Sequence, residues 1–161
     1  MRVLTKEEII LSFLPKERKK IKLPDLGIID WANLDFLGWI HPSGHLGYIV
    51  YEFQNGLLRG IVLERTPVTL GKGARMCSLC YTLNSASQIK FFTYHIPGKN
   101  ILVGDYFCAD LQCSLYIRKI KEPLLAQMQE NLTIYQKIKR CKKNLEKFFR
   151  IINEYTLGKN K

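Results

Sequence analysis

Residues 75–116 read RMCSLCYTLNSASQIKFFTYHIPGKNILVGDYFCADLQCSLY and hold four of the chain's five cysteines: Cys77, Cys80, Cys108 and Cys113. The spacing is C-x2-C, then 27 residues, then C-x4-C. Two tight pairs on short turns place four thiolates around one tetrahedral ion, and zinc takes sulfur at about 2.3 Å in closed structural sites. Between the pairs lie two strand-like runs, Gln88–Tyr94 and Ile101–Phe107, joined by Pro97-Gly98-Lys99-Asn100; Ser114–Lys121 follows with helical spacing. Knuckle, hairpin, then ligands at a helix start is the order of a treble-clef zinc finger. Two disulfides or four unliganded core thiols are the alternatives. The first suits a secreted chain. The second gives no reason for the paired spacing and turn-rich ends. Four thiolates fill the coordination sphere, so such an ion holds structure and activates no water.

Upstream, Thr5-Lys6-Glu7-Glu8 reads as a capping box. It opens a short helix whose apolar face is Ile9, Ile10, Phe13 and Leu14, ending near Pro15. The same charges break the apolar centre a signal peptide needs, and no apolar run reaches the roughly 18 residues of a membrane span. A reducing, cytoplasmic setting is therefore expected, where thiols stay free for metal. The basic run Lys16–Lys20 reads as a solvated linker and a candidate phosphate contact. Ile21–Trp31 is an extended, turn-rich lead into a strand over Leu34–His41, whose Gly38 signals a bulge or a close backbone approach. Trp39 is expected in the core. A turn at 41–45 carries two solvent-facing histidines, strand Leu46–Phe53 follows, and Asn55-Gly56 turns the chain into strand Leu57–Arg65. The three strands predict an antiparallel meander, with Arg59 and Arg65 on one exposed face. Gly71-Lys72-Gly73-Ala74-Arg75 is read as a flexible link to the knuckle. Its glycine spacing is not that of a phosphate loop.

The cysteine motifs also resemble a known family. CSLC at 77–80, GDYFCADLQC at 104–113, SLYIR at 114–118 and, upstream, LDFLGW at 34–39 are similar to the FBP-type treble-clef zinc-finger domain. That domain is the C-terminal part of FusB-type fusidic-acid-resistance proteins, which bind elongation factor G. The resemblance spans about residues 20–120. It implies a module that binds a translational GTPase on or near the ribosome and helps release it, with no catalysis of its own.

Downstream, Lys121-Glu122-Pro123 reads as the start of a new helix with proline in its first turn. From Leu125 to Tyr155 apolar residues recur every three or four positions, an amphipathic stripe over 124–156. Such a helix is on the order of 50 Å long, with Cys141 a buried thiol on its apolar side. The net charge of +11 is concentrated here: residues 114–161 hold 12 basic and 4 acidic side chains. Excess of this kind suits an anionic partner, RNA or an acidic protein surface.

The whole reads as α+β: an antiparallel β meander joined to a four-cysteine treble-clef zinc finger, with a short N-terminal helix and a long C-terminal helix. Expected units are residues 1–20, an N-terminal helix and basic linker; 21–121, the meander and finger; and 122–161, a basic helical extension. The expected metal ligands are Cys77, Cys80, Cys108 and Cys113, for zinc. Candidate contacts to a protein partner are Arg75, Lys99, Tyr106, Tyr116 and Arg118. Phe91, Phe92, Tyr94, Tyr106 and Phe107 fill the core or, where outward, face a partner. The alternative function is RNA binding through the C-terminal helix, with Lys139, Arg140, Lys142 and Lys143 as candidate contacts. No serine–histidine–acid set, phosphate loop or open metal site points to an enzyme. Asp105 and Asp110, which flank Cys108, are read as orienting the loop or capping the helix.

Overall fold

The computed structural model describes residues 1–66 and 73–158; Gly71 and Lys72 of the expected link lie outside them. The chain opens with α1 (Lys6–Ser12), and both halves of its capping box are made: Glu8 N–H donates to Thr5 Oγ1, and Thr5 N–H to the Glu8 carboxylate. Three 3-10 turns punctuate residues 18–33. Then come β1 (Leu37–Ile40), β2 (Leu46–Glu52) and β3 (Leu58–Arg65). Gly56 takes φ +79 in the turn between β2 and β3, a conformation open to glycine. A small ribbon of β4 (Ala74–Met76) and β5 (Leu83–Ser85) follows, so part of the expected link is a strand. β6 (Ile89–His95) and β7 (Leu102–Cys108) form the second hairpin, and two helices end the chain, α2 (Cys113–Ile117) and α3 (Ile134–Leu157).

Meander and second hairpin are one sheet, ordered β1-β2-β3-β6-β7 and antiparallel throughout. The join is short: Glu64 faces Thr93 and Arg65 faces Phe92. Alternation then gives the sheet two buried faces. Tyr48, Val50 and Val62 turn to one side, with Leu37 and Trp39, under Ile9 and Phe13 of the N-terminal segment. Trp39 stacks on Tyr48 at 4.8 Å, and its indole N–H donates to the Lys22 carbonyl. Ile49, Tyr51, Ile61 and Leu63 turn to the other side, where they share a core with the four cysteines and with Cys141, Leu145, Phe149 and Ile152 of α3.

Three helical expectations are corrected. The apolar stripe does not run as one helix over 124–156: residues 122–133 are irregular, and α3 starts only after Thr133, whose own capping box with Gln136 fixes the start. The Lys121-Glu122-Pro123 segment therefore opens no helix. α2 stops at Ile117 because Lys119 takes φ +56, outside the helical region. The face of β3 carrying Arg59 is also not free. The Arg59 guanidinium lies 5.5 Å from the Phe149 ring centre and donates to Asn153, so α3 covers it.

Candidate metal centre

Each cysteine is delivered by a turn at the end of an element. Cys77 and Cys80 sit at the tip of the β4–β5 ribbon. Tyr81 N–H donates to the Cys77 carbonyl, Cys77 N–H to the Thr82 carbonyl, and Tyr81 takes φ +63 to close the knuckle. Cys108 ends β7 and Cys113 begins α2, with Leu111 at φ +57 between them. Ribbon tip, hairpin and helix start thus converge as a treble clef.

The four Sγ atoms lie within 4.8 Å of one another, and all four residues are buried. Cys77 and Cys113 are 3.7 Å apart, Cys80 and Cys108 3.6 Å. Tetrahedral bonds of 2.3 Å put neighbouring sulfurs about 3.8 Å apart, whereas a disulfide needs about 2.05 Å. The spacing is that of a shared ion, and the all-sulfur donor set suits zinc. The neighbouring sulfurs act unequally on one another: against burial, they hold the Cys80 thiol well below its ordinary value, while Cys108 and Cys113 are raised. The Cys108 sulfur, then Cys141, Cys77 and Cys80, together with burial, push the Cys113 thiol well above its ordinary value. A dication reverses that balance by holding the sulfurs as thiolates. Thr82 Oγ1, 3.2 Å from Cys80 Sγ, is placed to donate to that sulfur.

Polar contacts around the sulfurs fix the turns. Ser78 N–H donates to the Tyr106 carbonyl at 2.8 Å, and its hydroxyl to Asp105 at 2.5 Å. Asp110 accepts from Gln112 N–H, the Tyr116 hydroxyl and Lys121. Both aspartates therefore orient the ligand loops. From α3, Asn144 donates to the Leu79 carbonyl at 3.0 Å and Arg140 reaches the Cys80 carbonyl at 3.5 Å. Asn144 has no signal in the local sequence pattern; only the docking of α3 brings it to the knuckle.

The candidate partner contacts fall into different places. Arg75 lies 5.2 Å from the ring centre of Tyr106, which packs edge-on against Phe91 at 5.0 Å; together they make one half-exposed patch beside the knuckle. Lys99 donates to the Tyr155 carbonyl near the end of α3. Tyr116 is buried against Asp110; burial, then that carboxylate, push its hydroxyl pKa up. Arg118 clasps Asp35 at 2.6 and 2.9 Å. Phe92, Tyr94 and Phe107 are core residues. Of the candidate RNA contacts, Arg140 is spent on Glu130 at 2.8 and 3.1 Å, while Lys139, Lys142 and Lys143 are exposed.

A family model described as the FBP C-terminal treble-clef zinc-finger matches residues 9–152. Among solved structures, the fusidic acid resistance protein FusC superposes with a TM-score of 0.62 at 20% identity, over 92% of this chain and 58% of that one. This chain thus spans little more than half the length of that protein, and the likeness is one of fold. No curated protein sequence matches the chain.

Proposed function

Because the chain belongs to the FBP C-terminal treble-clef zinc-finger family, we propose that it is a non-catalytic zinc module that binds a translational GTPase, elongation factor G, on or near the ribosome. The observation that carries this reading is the closed site. Four buried sulfurs leave the ion no open position, so the metal serves to hold a surface in shape. The patch of Arg75, Tyr106 and Phe91 beside the knuckle is the part of that surface suited to a partner. A cation stacked on an aromatic ring is the kind of side-chain pair enriched at protein interfaces. Lys99, Tyr116 and Arg118 then act behind it, holding α3 and the ligand loop in place. No catalytic residue is needed: a binder releases a factor when it prefers one of the factor's states. Among the described residues no helix is long and apolar enough to cross a membrane.

The test is capture of elongation factor G by the zinc-loaded, tagged protein, with and without ribosomes. Arg75→Glu combined with Tyr106→Ala is expected to weaken capture at least tenfold, an interface hot-spot effect, with zinc content unchanged. Recovery of no translational GTPase by the unmodified protein overturns the reading.

A second reading, RNA binding through α3, is supported by Lys139, Lys142 and Lys143, which are exposed and form no ion pair among the described residues. It predicts affinity that falls steeply with salt.

A further inference from the structure

Tyr135, Lys139, Lys142, Lys143 and Glu146 share one stripe of α3, on the side away from Cys141 and the knuckle. At 1.5 Å per residue the stripe runs about 16 Å. It forms one wall of a groove of about 650 Å³ whose other wall is the end of β2, with Phe53. The groove combines two features. One is charge: Lys139, Lys142 and Lys143 are exposed and without carboxylate partners among the described residues. The acids that line it are already engaged. Glu146 accepts from the Tyr51 hydroxyl at 2.6 Å, and Glu52 from Arg2 at 2.9 Å. The other feature is an aromatic ring left in water. Tyr135 is 63% exposed, with the Lys139 ammonium 4.5 Å from its ring centre.

We propose that this groove binds an unpaired RNA strand: Tyr135 stacks a base, and Lys139, Lys142 and Lys143 neutralise the flanking phosphates. The inference rests on the RNA reading above and adds to it a place and a strand state. A basic track interleaved with a stacking ring is how single strands are held without sequence preference. A duplex offers the lysines its phosphates but hides its base faces from Tyr135. An acidic peptide would satisfy the lysines and gain little from an exposed phenol ring already carrying a cation.

The experiment is fluorescence anisotropy over a salt series, with labelled oligouridine and oligoadenosine of about 8 nucleotides, the DNA counterparts, and an RNA duplex. The single strands are expected to bind more tightly than the duplex. Tyr135→Ala weakens them about tenfold at an unchanged salt slope. Lys142→Glu with Lys143→Glu makes the slope shallower by about one per lysine. Tyr135 is exposed, so its loss leaves the fold intact; circular dichroism and zinc content verify this. Equal binding of duplex and single strand, untouched by Tyr135→Ala, overturns the groove while the RNA reading stands. DNA bound more tightly than RNA overturns the assignment to RNA. No binding to any oligonucleotide overturns groove and RNA reading together. Loss of elongation factor G capture in these variants without loss of RNA binding makes this face a protein-docking surface, and the proposal falls.

Discussion

At Gly38 an added Cβ would stand 2.4 Å from the Leu111 carbonyl oxygen and 2.8 Å from the Leu111 Cβ. Leu111 is the turn residue between two metal ligands, Cys108 and Cys113, so β1 lies directly against the ligand loop. Gly38→Ala is expected to destabilise by about 1–3 kcal/mol, the cost of overpacking, and to speed zinc loss to a chelator. A chelation rate equal to that of the unmodified protein would show that the loop yields freely. The glycine was legible as a close approach because strands rarely keep one without cause; its neighbour, 73 residues away in sequence, was not. Arg118 makes a second contact of this range. Its pair with Asp35 is 16% and 6% exposed, and Ser114, beside the ligand Cys113, accepts from Asp35 N–H at 3.0 Å. Removing one partner of such a buried pair costs about 3–5 kcal/mol. Arg118→Ala should therefore lower the urea midpoint clearly, with one zinc still bound. A guanidinium reserved for a binding partner would leave the midpoint unchanged.

The segment 122–133 shows where periodicity misleads. Leu125, Met128 and Leu132 continue the spacing of α3 backwards, yet Met128 is 69% exposed and the segment is irregular. The stronger signal was the Thr133-x-x-Gln136 box, the same device that marks α1. In place of a helix, the segment is tied down by side chains. The Gln127 amide pairs with both Leu83 backbone groups, Leu124 N–H donates to Asn84, and Glu130 bridges Lys137 and Arg140. Arg140, then Lys137, hold the Glu130 carboxyl below its ordinary range, against the pull of burial. A depressed acid stabilises the fold above its unfolded pKa of about 4.3, and that stabilisation fades as pH falls through the lower, folded value. Below about pH 4 the strap is expected to loosen before the sheet does, seen as faster exchange of the Leu83 and Leu124 amides. Exchange that quickens in these amides and in β2 at the same pH would mean the ion pairs play no local part. The strands of the five-stranded sheet, by contrast, were largely legible, since alternation with Asn55-Gly56 leaves little choice of register, whereas the three-residue strands β4 and β5 were not. The two-pair join of β3 to β6 carries no local signal and appears only in three dimensions.

That join decides how the molecule responds to losing its metal. A meander and a finger side by side would unfold separately, but here β6 and β7 complete the sheet and the four sulfurs belong to the core beneath it. The free energy of binding a structural zinc is then folding free energy for the sheet as well. Both tryptophans report on the far side: Trp39 is buried in the cluster under α1, and Trp31 packs against it. Neither belongs to the cluster that holds the cysteines. Chelation under reducing conditions is therefore expected to shift tryptophan fluorescence and the far-ultraviolet signal together, in one transition that zinc reverses. If the tryptophan emission stays native while zinc leaves, the sheet stands without the finger, and the closed site cannot be what holds the Arg75–Tyr106 patch and the α3 groove in a common frame.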